Sequence, residues 1–432
     1  MKFCSTNKKS GLVSFKEAIL KGIADDGGLF MPTEIPKLSK DFFNNISSLS
    51  FQEISYTVAR VFLGDEIPSQ TLKQIIDDAI NFEAPLVEID ENIKVLELFH
   101  GPTLAFKDFG ARFMARTMSY FREQSNHEAT ILVATSGDTG SAVANGFFNI
   151  EGIKVVLLYP SEKVSRIQEQ QLTTLGGNIS ALEVEGTFDD CQRMVKEAFA
   201  DKEITSKITL SSANSINIAR LLPQSFYYFS AYFQLKDRSK SLIFSVPSGN
   251  FGNLTAGLIA YEMGLPVERF IAATNINDVF PVFLKTGIFN AKASIQTISN
   301  AMDVGNPSNL ARIIFLYGNP QSIAEKIFSC SFSDAETKNG IKDLYSKSAY
   351  IIDPHGAVGY LALKDYISQT GLKSYNGIVL ETAHPAKFPD IVEETLGVKI
   401  NLPENLKSCL EKGKVAVKIS NDVKELKKIL LS

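Results

Sequence analysis

From residue 93 onward, short apolar runs of strand character alternate with helical stretches, and this alternation limits the chain to few folds. The runs are 94–99, 130–134, 154–158, 241–246, 270–274 and 377–380. Each leads into a Gly- or Ser-rich turn or into a helix start. Thr187, with Asp190 three residues on, marks one such start. Strand and helix in alternation predict an α/β fold: a mostly parallel sheet with helices on both faces. Such sheets bind ligands at the carboxyl ends of their strands, so chemistry is to be sought in the strand-to-helix loops.

Residues 1 to about 85 read differently. Ser14-Phe-Lys-Glu17 and Ser50-Phe-Gln-Glu53 are capping boxes, and each opens an apolar pattern of helical spacing, such as Phe51, Ile54, Val58 and Phe62. A mainly helical N-terminal unit is expected there. The Lys-rich end, 420–432, carries Val423, Leu426, Ile429 and Leu430 at helical spacing and reads as a terminal helix rather than a binding arm.

Composition excludes several classes. At 432 residues the chain has room for two or three domains. Lys and Arg number 44 against 48 Asp and Glu, a net charge of −4. Nucleic acid and anionic membrane are therefore not the expected partners. Cys4, Cys191, Cys330 and Cys409 are scattered, which suggests neither a disulfide framework nor a zinc knuckle. No H-x-x-x-H, H-E-x-x-H or G-x-S-x-G occurs, so no metal site is expected. The first eleven residues lack the apolar segment of a signal peptide, and no apolar run is long enough for a membrane span. A cytoplasmic protein is expected.

Two loops have the make-up of anion cradles. Thr135-Ser-Gly-Asp-Thr-Gly-Ser141 follows the run 130–134 and precedes a helical stretch. Small residues let backbone approach a ligand, and hydroxyls and free helix N–H groups would face a phosphate or carboxylate. The same residues equally suit a plain strand-to-helix turn. Ser248-Gly-Asn-Phe-Gly-Asn253 repeats the arrangement after 241–246. Neither loop is a P-loop or a G-x-G-x-x-G fingerprint. Two cradles suggest two separate phosphates. Asn214-Ser-Ile-Asn-Ile-Ala-Arg220 is a third polar cluster, readable as a phosphate grip or as a helix start with an exposed Arg.

One lysine stands apart. In Leu98-Phe-His-Gly-Pro-Thr-Leu-Ala-Phe-Lys107-Asp108-Phe-Gly110, Lys107 lies in apolar surroundings. Burial disfavours the charged form, and a neutral amine is what a Schiff base with an aldehyde needs. The alternative is an ordinary Lys with a packed stem and its head in water.

Together these segments resemble the threonine synthase family. Pro102-Thr-Leu-Ala-Phe-Lys-Asp108, Thr135-Ser-Gly-Asp-Thr-Gly140 and Pro247-Ser-Gly-Asn-Phe-Gly-Asn253 look like its signatures, as do Asp26-Gly-Gly-Leu-Phe-Met-Pro32 and Tyr159-Pro-Ser-Glu-Lys-Val-Ser165. Ala301-Met-Asp-Val-Gly-Asn-Pro-Ser-Asn309 and Glu381-Thr-Ala-His-Pro-Ala-Lys-Phe388 resemble the longer form with an extra N-terminal domain. Phe3-Cys-Ser-Thr-Asn7 departs from it, since the family has Tyr first and Arg after the Thr.

The resemblance implies the pyridoxal-phosphate fold type II: two open, mostly parallel α/β domains with the active site between them. It implies a helical domain at 1–92, a smaller α/β domain at 93–235 with Lys107 and the substrate-phosphate loop, and a larger one at 236–432. It implies that Lys107 bonds pyridoxal phosphate. Ser248, Gly249, Asn250, Phe251, Gly252 and Asn253 would hold the cofactor phosphate. Asp138 would lie near the ring 3′-oxygen, where the fold usually has Asn, and Thr382 would face the pyridine nitrogen. A hydroxyl there does not force that nitrogen to be protonated, as a carboxylate would. The substrate's phosphate would lie among Thr135, Ser136, Thr139, Asn214, Ser215 and Arg220. The implied reaction converts O-phospho-L-homoserine and water to L-threonine and phosphate, in a monomer or a dimer. The rivals are a dehydratase or phosphate lyase of the same fold, and a non-catalytic phosphate-binding α/β protein.

Overall fold

The computed structural model describes residues 1–123 and 128–432; His127 lies outside them. Two sheets organise the chain. One has six strands in the order Ile327–Ser331, Val267–Thr274, Ser241–Pro247, Tyr375–Glu381, Ile93–Glu97, Leu86–Glu88. All its pairings are parallel except the last. The other has five parallel strands in the order Val417–Ser420, Ile179–Glu185, Ile153–Pro160, Ala129–Ala134, Thr209–Ser211. The central strands Ala129–Ala134 and Tyr375–Glu381 are buried at every residue, as expected of parallel strands covered on both faces.

Sheet membership corrects the expected division at 92/93 and 235/236. Ile93–Glu97, placed at the start of the smaller domain, pairs with Tyr375–Glu381 in the six-stranded sheet. Val417–Ser420, in the expected larger domain, pairs with Ile179–Glu185 in the five-stranded sheet. An apolar run shows that a segment can be a strand. Which open sheet edge it joins is set by packing across hundreds of residues.

The first eighty residues form helices Phe15–Lys21, Lys40–Asn45, Phe51–Leu63 and Ser69–Ala79, with a two-stranded antiparallel pair, Phe3–Ser5 and Phe30–Pro32. Both capping boxes form: at the second, the Ser50 hydroxyl accepts from the Glu53 amide and the Ser50 amide donates to Glu53 Oε2 at 2.8 Å. Ser50→Ala removes one half of this exchange and should lower stability by about 1 kcal/mol, read as a shifted urea midpoint. The unit is a buttress rather than a separate body. Phe15 packs on Phe121 and Phe82 on Phe109, both in the helix Lys107–Glu123, and Arg112 donates to the Ala79 carbonyl at 3.1 Å. At the other end, Val423–Leu431 is a helix whose Leu426 is buried, with Lys427 paired to Asp201 and Glu203.

Candidate active site

Each anion loop leaves a strand whose neighbours lie on both sides, the position at which open parallel sheets form a crevice. Ala129–Ala134 lies between Ile153–Pro160 and Thr209–Ser211, and Ser241–Pro247 between Val267–Thr274 and Tyr375–Glu381.

The first loop is fastened by its own threonine. The Thr135 hydroxyl accepts from the amides of Gly137 at 3.0 Å and Gly140 at 2.8 Å. Gly137 has φ +140°, which side-chain-bearing residues rarely adopt. The amides of Asp138 and Thr139, which open the helix Asp138–Phe147, find no acceptor among the described residues.

The second loop is held the same way. Asn253 Nδ2 donates to the Pro247 carbonyl at 3.0 Å, and the Ser248 hydroxyl donates to Asn253 Oδ1 at 2.5 Å. Asn250 Nδ2 donates to the Ser215 hydroxyl at 2.6 Å, and Asn250 Oδ1 accepts from the Ser308 amide. The side chains of Thr135, Asn250 and Asn253 thus shape the loops. What the loop leaves open is backbone: the amides of Asn250, Phe251 and Gly252 have no acceptor among the described residues, and Phe251 sits in the left-handed region at the mouth of helix Gly252–Glu262.

Arg220 is not an exposed residue at a helix start. It is 3% exposed, and its guanidinium donates to the Ala213 carbonyl while its Nε has no partner. Burial pulls it down to about 10. Asn214 Oδ1, Gln224 Oε1 and Asn300 Oδ1 are also buried without partners.

Lys107 opens its helix at a fixed place. The segment before it is tied to the strand exit after Glu381: Ala105 bridges Ala383, the Phe106 amide donates to the Thr382 carbonyl at 2.9 Å, and the His384 amide to the Leu104 carbonyl. Its amine makes no hydrogen bond to a described residue. Burial lowers Lys107 to about 8; Asp138 opposes this, while Lys387 and Arg220 assist it.

These parts line one cavity of about 260 Å³: Lys107, Thr135, Ser136, Thr139, Asn214, Ser215, Arg220, the whole of Ser248–Asn253, and Thr382. Asp138 is set behind the wall, with its carboxylate 2.7 Å from Lys387 Nζ and 3.1 Å from Gln168 Nε2. A free amine, two sets of unpaired helix amides and four unpaired buried polar atoms call for a ligand. They fit an aldehyde-bearing phosphate on Lys107, with a second anion near Arg220. Among the described residues no group of three or more His, Cys, Asp or Glu could hold a metal, and no helix is long and apolar enough to cross a membrane.

Sequence reasoning missed part of the surround. Lys387 is fully buried. Its signal, a Lys among apolar residues just after a strand, matches that of Lys107. His355 Nδ1 lies 2.5 Å from Asp353 Oδ2, and its Nε2 accepts from the Ala301 amide. This fixes the segment that brings Met302 and Asp303 to the cavity. Asp303 accepts from Thr297 and Asn275, and burial raises it to about 6 against those hydrogen bonds.

A family model described as pyridoxal-phosphate dependent enzyme matches residues 84–381, so the chain is an enzyme of that class, with the type II fold. Models described as the threonine synthase N terminus and C-terminal match residues 2–80 and 356–430. The chain is 46% identical to a threonine synthase of Haemophilus influenzae over 97% of both chains. The crystal structure of threonine synthase from Escherichia coli is 42% identical, with a TM-score of 0.93 over 100% of this chain and 99% of that one. A pyridoxal-phosphate-bound threonine synthase from Brucella melitensis is 36% identical, with a TM-score of 0.93 over 100% and 98%. The chain belongs to the threonine synthase family.

Proposed function

We propose that this enzyme converts O-phospho-L-homoserine and water to L-threonine and phosphate, with the residue roles that follow. The observation that carries the reading is one cavity joining a lowered-pKa lysine to two separate anion cradles. Pyridoxal phosphate, when bound, supplies an electron sink for the bond-breaking at the substrate's α-carbon. Lys107 would hold it covalently, the open amides of the 248–253 loop would take its phosphate, and Thr382 would meet its ring nitrogen without imposing a charge.

With the substrate's amine in its place on the cofactor, Lys107 Nζ would be released as a free amine within the cavity it lines. With its lowered pKa it can accept the Cα proton near neutral pH and return a proton later in the cycle. Once it has given up the Cα proton and is a neutral amine again, Lys107 would take the Cβ proton as well. Arg220 and the Ser136–Thr139 donors hold the substrate's phosphate and meet the charge that grows on it as it leaves Cγ. Water must be excluded until then and admitted afterwards to Cβ, so the unit carrying 135–141 is expected to close over the substrate. The four cysteines are unbridged, in keeping with a reducing cytoplasm.

The test is a visible absorbance spectrum of the purified protein before and after O-phosphohomoserine, with phosphate and threonine measured together. A cofactor band that shifts, with equal amounts of both products, is expected. A 2-oxo acid and ammonia instead would replace this reading with a dehydratase. A protein that stays colourless when pyridoxal phosphate is supplied would remove the chemistry altogether.

A further inference from the structure

We propose that Lys387 is a positioning residue that keeps Lys107 available as a neutral amine, by occupying the Asp138 carboxylate that would otherwise hold Lys107 in its protonated form. This rests on the reading of Lys107 as the cofactor-bearing lysine.

The geometry is closed on all sides. Lys387 is wholly buried in the turn Pro385–Lys387, and its ammonium lies 2.7 Å from Asp138 Oδ1 and 2.9 Å from the Thr103 carbonyl. Asp138 is itself buried, and Gln168 Nε2 donates to the same Oδ1 at 3.1 Å. The charged groups facing Lys107 are Asp138 from the helix after the first loop, Lys387 from the turn after Tyr375–Glu381, and Arg220 from Ile218–Leu221. His355 faces Asp138 from the helix Pro354–Thr370, and Asp108 faces both Lys387 and Arg220. Burial would raise Asp138, but the ammonium groups of Lys387 and Lys107 outweigh it and hold the carboxyl well below its ordinary range.

Asp138 is therefore ionised with two lysines competing for it. An ionised carboxylate left with Lys107 alone would stabilise the ammonium form of Lys107 and oppose its use as nucleophile and base. Lys387 takes the close contact, and Lys107 is left with no hydrogen bond. Lys387 does so without exposure to water or substrate. The Thr103 carbonyl anchors it, and Thr103 is anchored in turn by Asp108, which accepts from its amide at 2.8 Å and its hydroxyl at 2.6 Å. Asp108 is the next residue after Lys107, so the pair is built into the turn that presents the reactive lysine.

The test is a pH titration of the visible absorbance of the holoenzyme, which reports the proton on the Lys107 nitrogen while it is bonded to the cofactor, where Asp138 and Lys387 act on it with the same sign as on the free amine. Lys387→Met leaves Asp138 uncompensated and should raise the midpoint by about one pH unit. Asp138→Asn leaves Lys387 uncompensated and should lower it by about one unit. The double variant should return to near the parent value, which a merely structural role would not produce. Equal midpoints in the parent and in Lys387→Met, or shifts of the same sign in both single variants, would overturn the proposal. If Lys387→Met alone fails to fold, Asp138→Asn is compared with the double variant. Removal of Lys387 must again raise the midpoint there, and equal midpoints overturn the proposal. A colourless parent protein removes this inference together with the proposed function. A coloured one whose titration ignores Lys387 removes this inference alone.

Discussion

Lys107→Ala abolishes threonine formation and leaves a protein with no covalently held pyridoxal phosphate. The same nitrogen serves as anchor and as base, so kcat should fall by at least about 10⁴-fold. The loss should not come from unfolding. Lys107 stands at the first turn of its helix, and the surround is held by Phe109, Phe113 and the N-terminal unit rather than by the amine. Denaturant midpoints should therefore stay close to the parent's. Chemistry that needs the neutral amine should respond to pH around 8, where Lys107 is placed by burial. Below that pH the ammonium form dominates, and the rate at which cofactor-stripped protein recaptures pyridoxal phosphate should drop about tenfold per pH unit. Phosphate release and visible absorbance, measured on one preparation, check both halves. Normal turnover by Lys107→Ala would remove the assignment.

How much of this was legible in the sequence depends on the range of each signal. The caps of Ser14, Ser50 and Thr187 and the strands of the central sheets are local, and they form where the pattern placed them. Sheet partners are not local. Nothing in residues 93–97 points to residues 377–381, yet their pairing sets Thr382 beside the Lys107 turn. The candidate site divides along the same line. Gly- and Ser-rich loops announce themselves because their composition is unusual for a strand exit. The duties of individual side chains do not, since Thr135 and Asn253 are spent on the backbone of their own loops. Lys387, His355 and Asp303 were missed because single polar residues in buried segments look alike until their partners are in place. Arg220 differs from all of these. Its neighbours left open both a phosphate grip and an exposed helix start, and the close approach of Gly110, in the helix Lys107–Glu123, goes with its burial.

Arg220→Ala should weaken capture of O-phosphohomoserine while sparing the cofactor. Its guanidinium is the one buried cation aimed from the 214–220 cluster into the cavity, with Nε unpaired and ready for an anion. Losing a preorganised charged donor to a leaving phosphate costs about 4 kcal/mol, or roughly 10³-fold in kcat/KM. Most of the loss should appear in KM if the phosphate is gripped before it leaves, and in kcat if the grip tightens as charge develops. Pyridoxal-phosphate content should be unchanged, because the 248–253 amides lie on another strand exit. Equal losses of substrate and cofactor binding would mean that the two cradles are assigned the wrong way round. Arg220→Lys should recover only part of the activity, since an ammonium cannot reproduce the fork. Gly110→Ala offers a control that keeps the charge. A Cβ at Gly110 would fall 2.6 Å from the Arg220 carbonyl oxygen and 3.0 Å from its Nε, so the backbone at residue 220 must shift and carry the guanidinium with it. A raised KM in Gly110→Ala, with cofactor content intact, would show that the position of Arg220 matters as well as its charge.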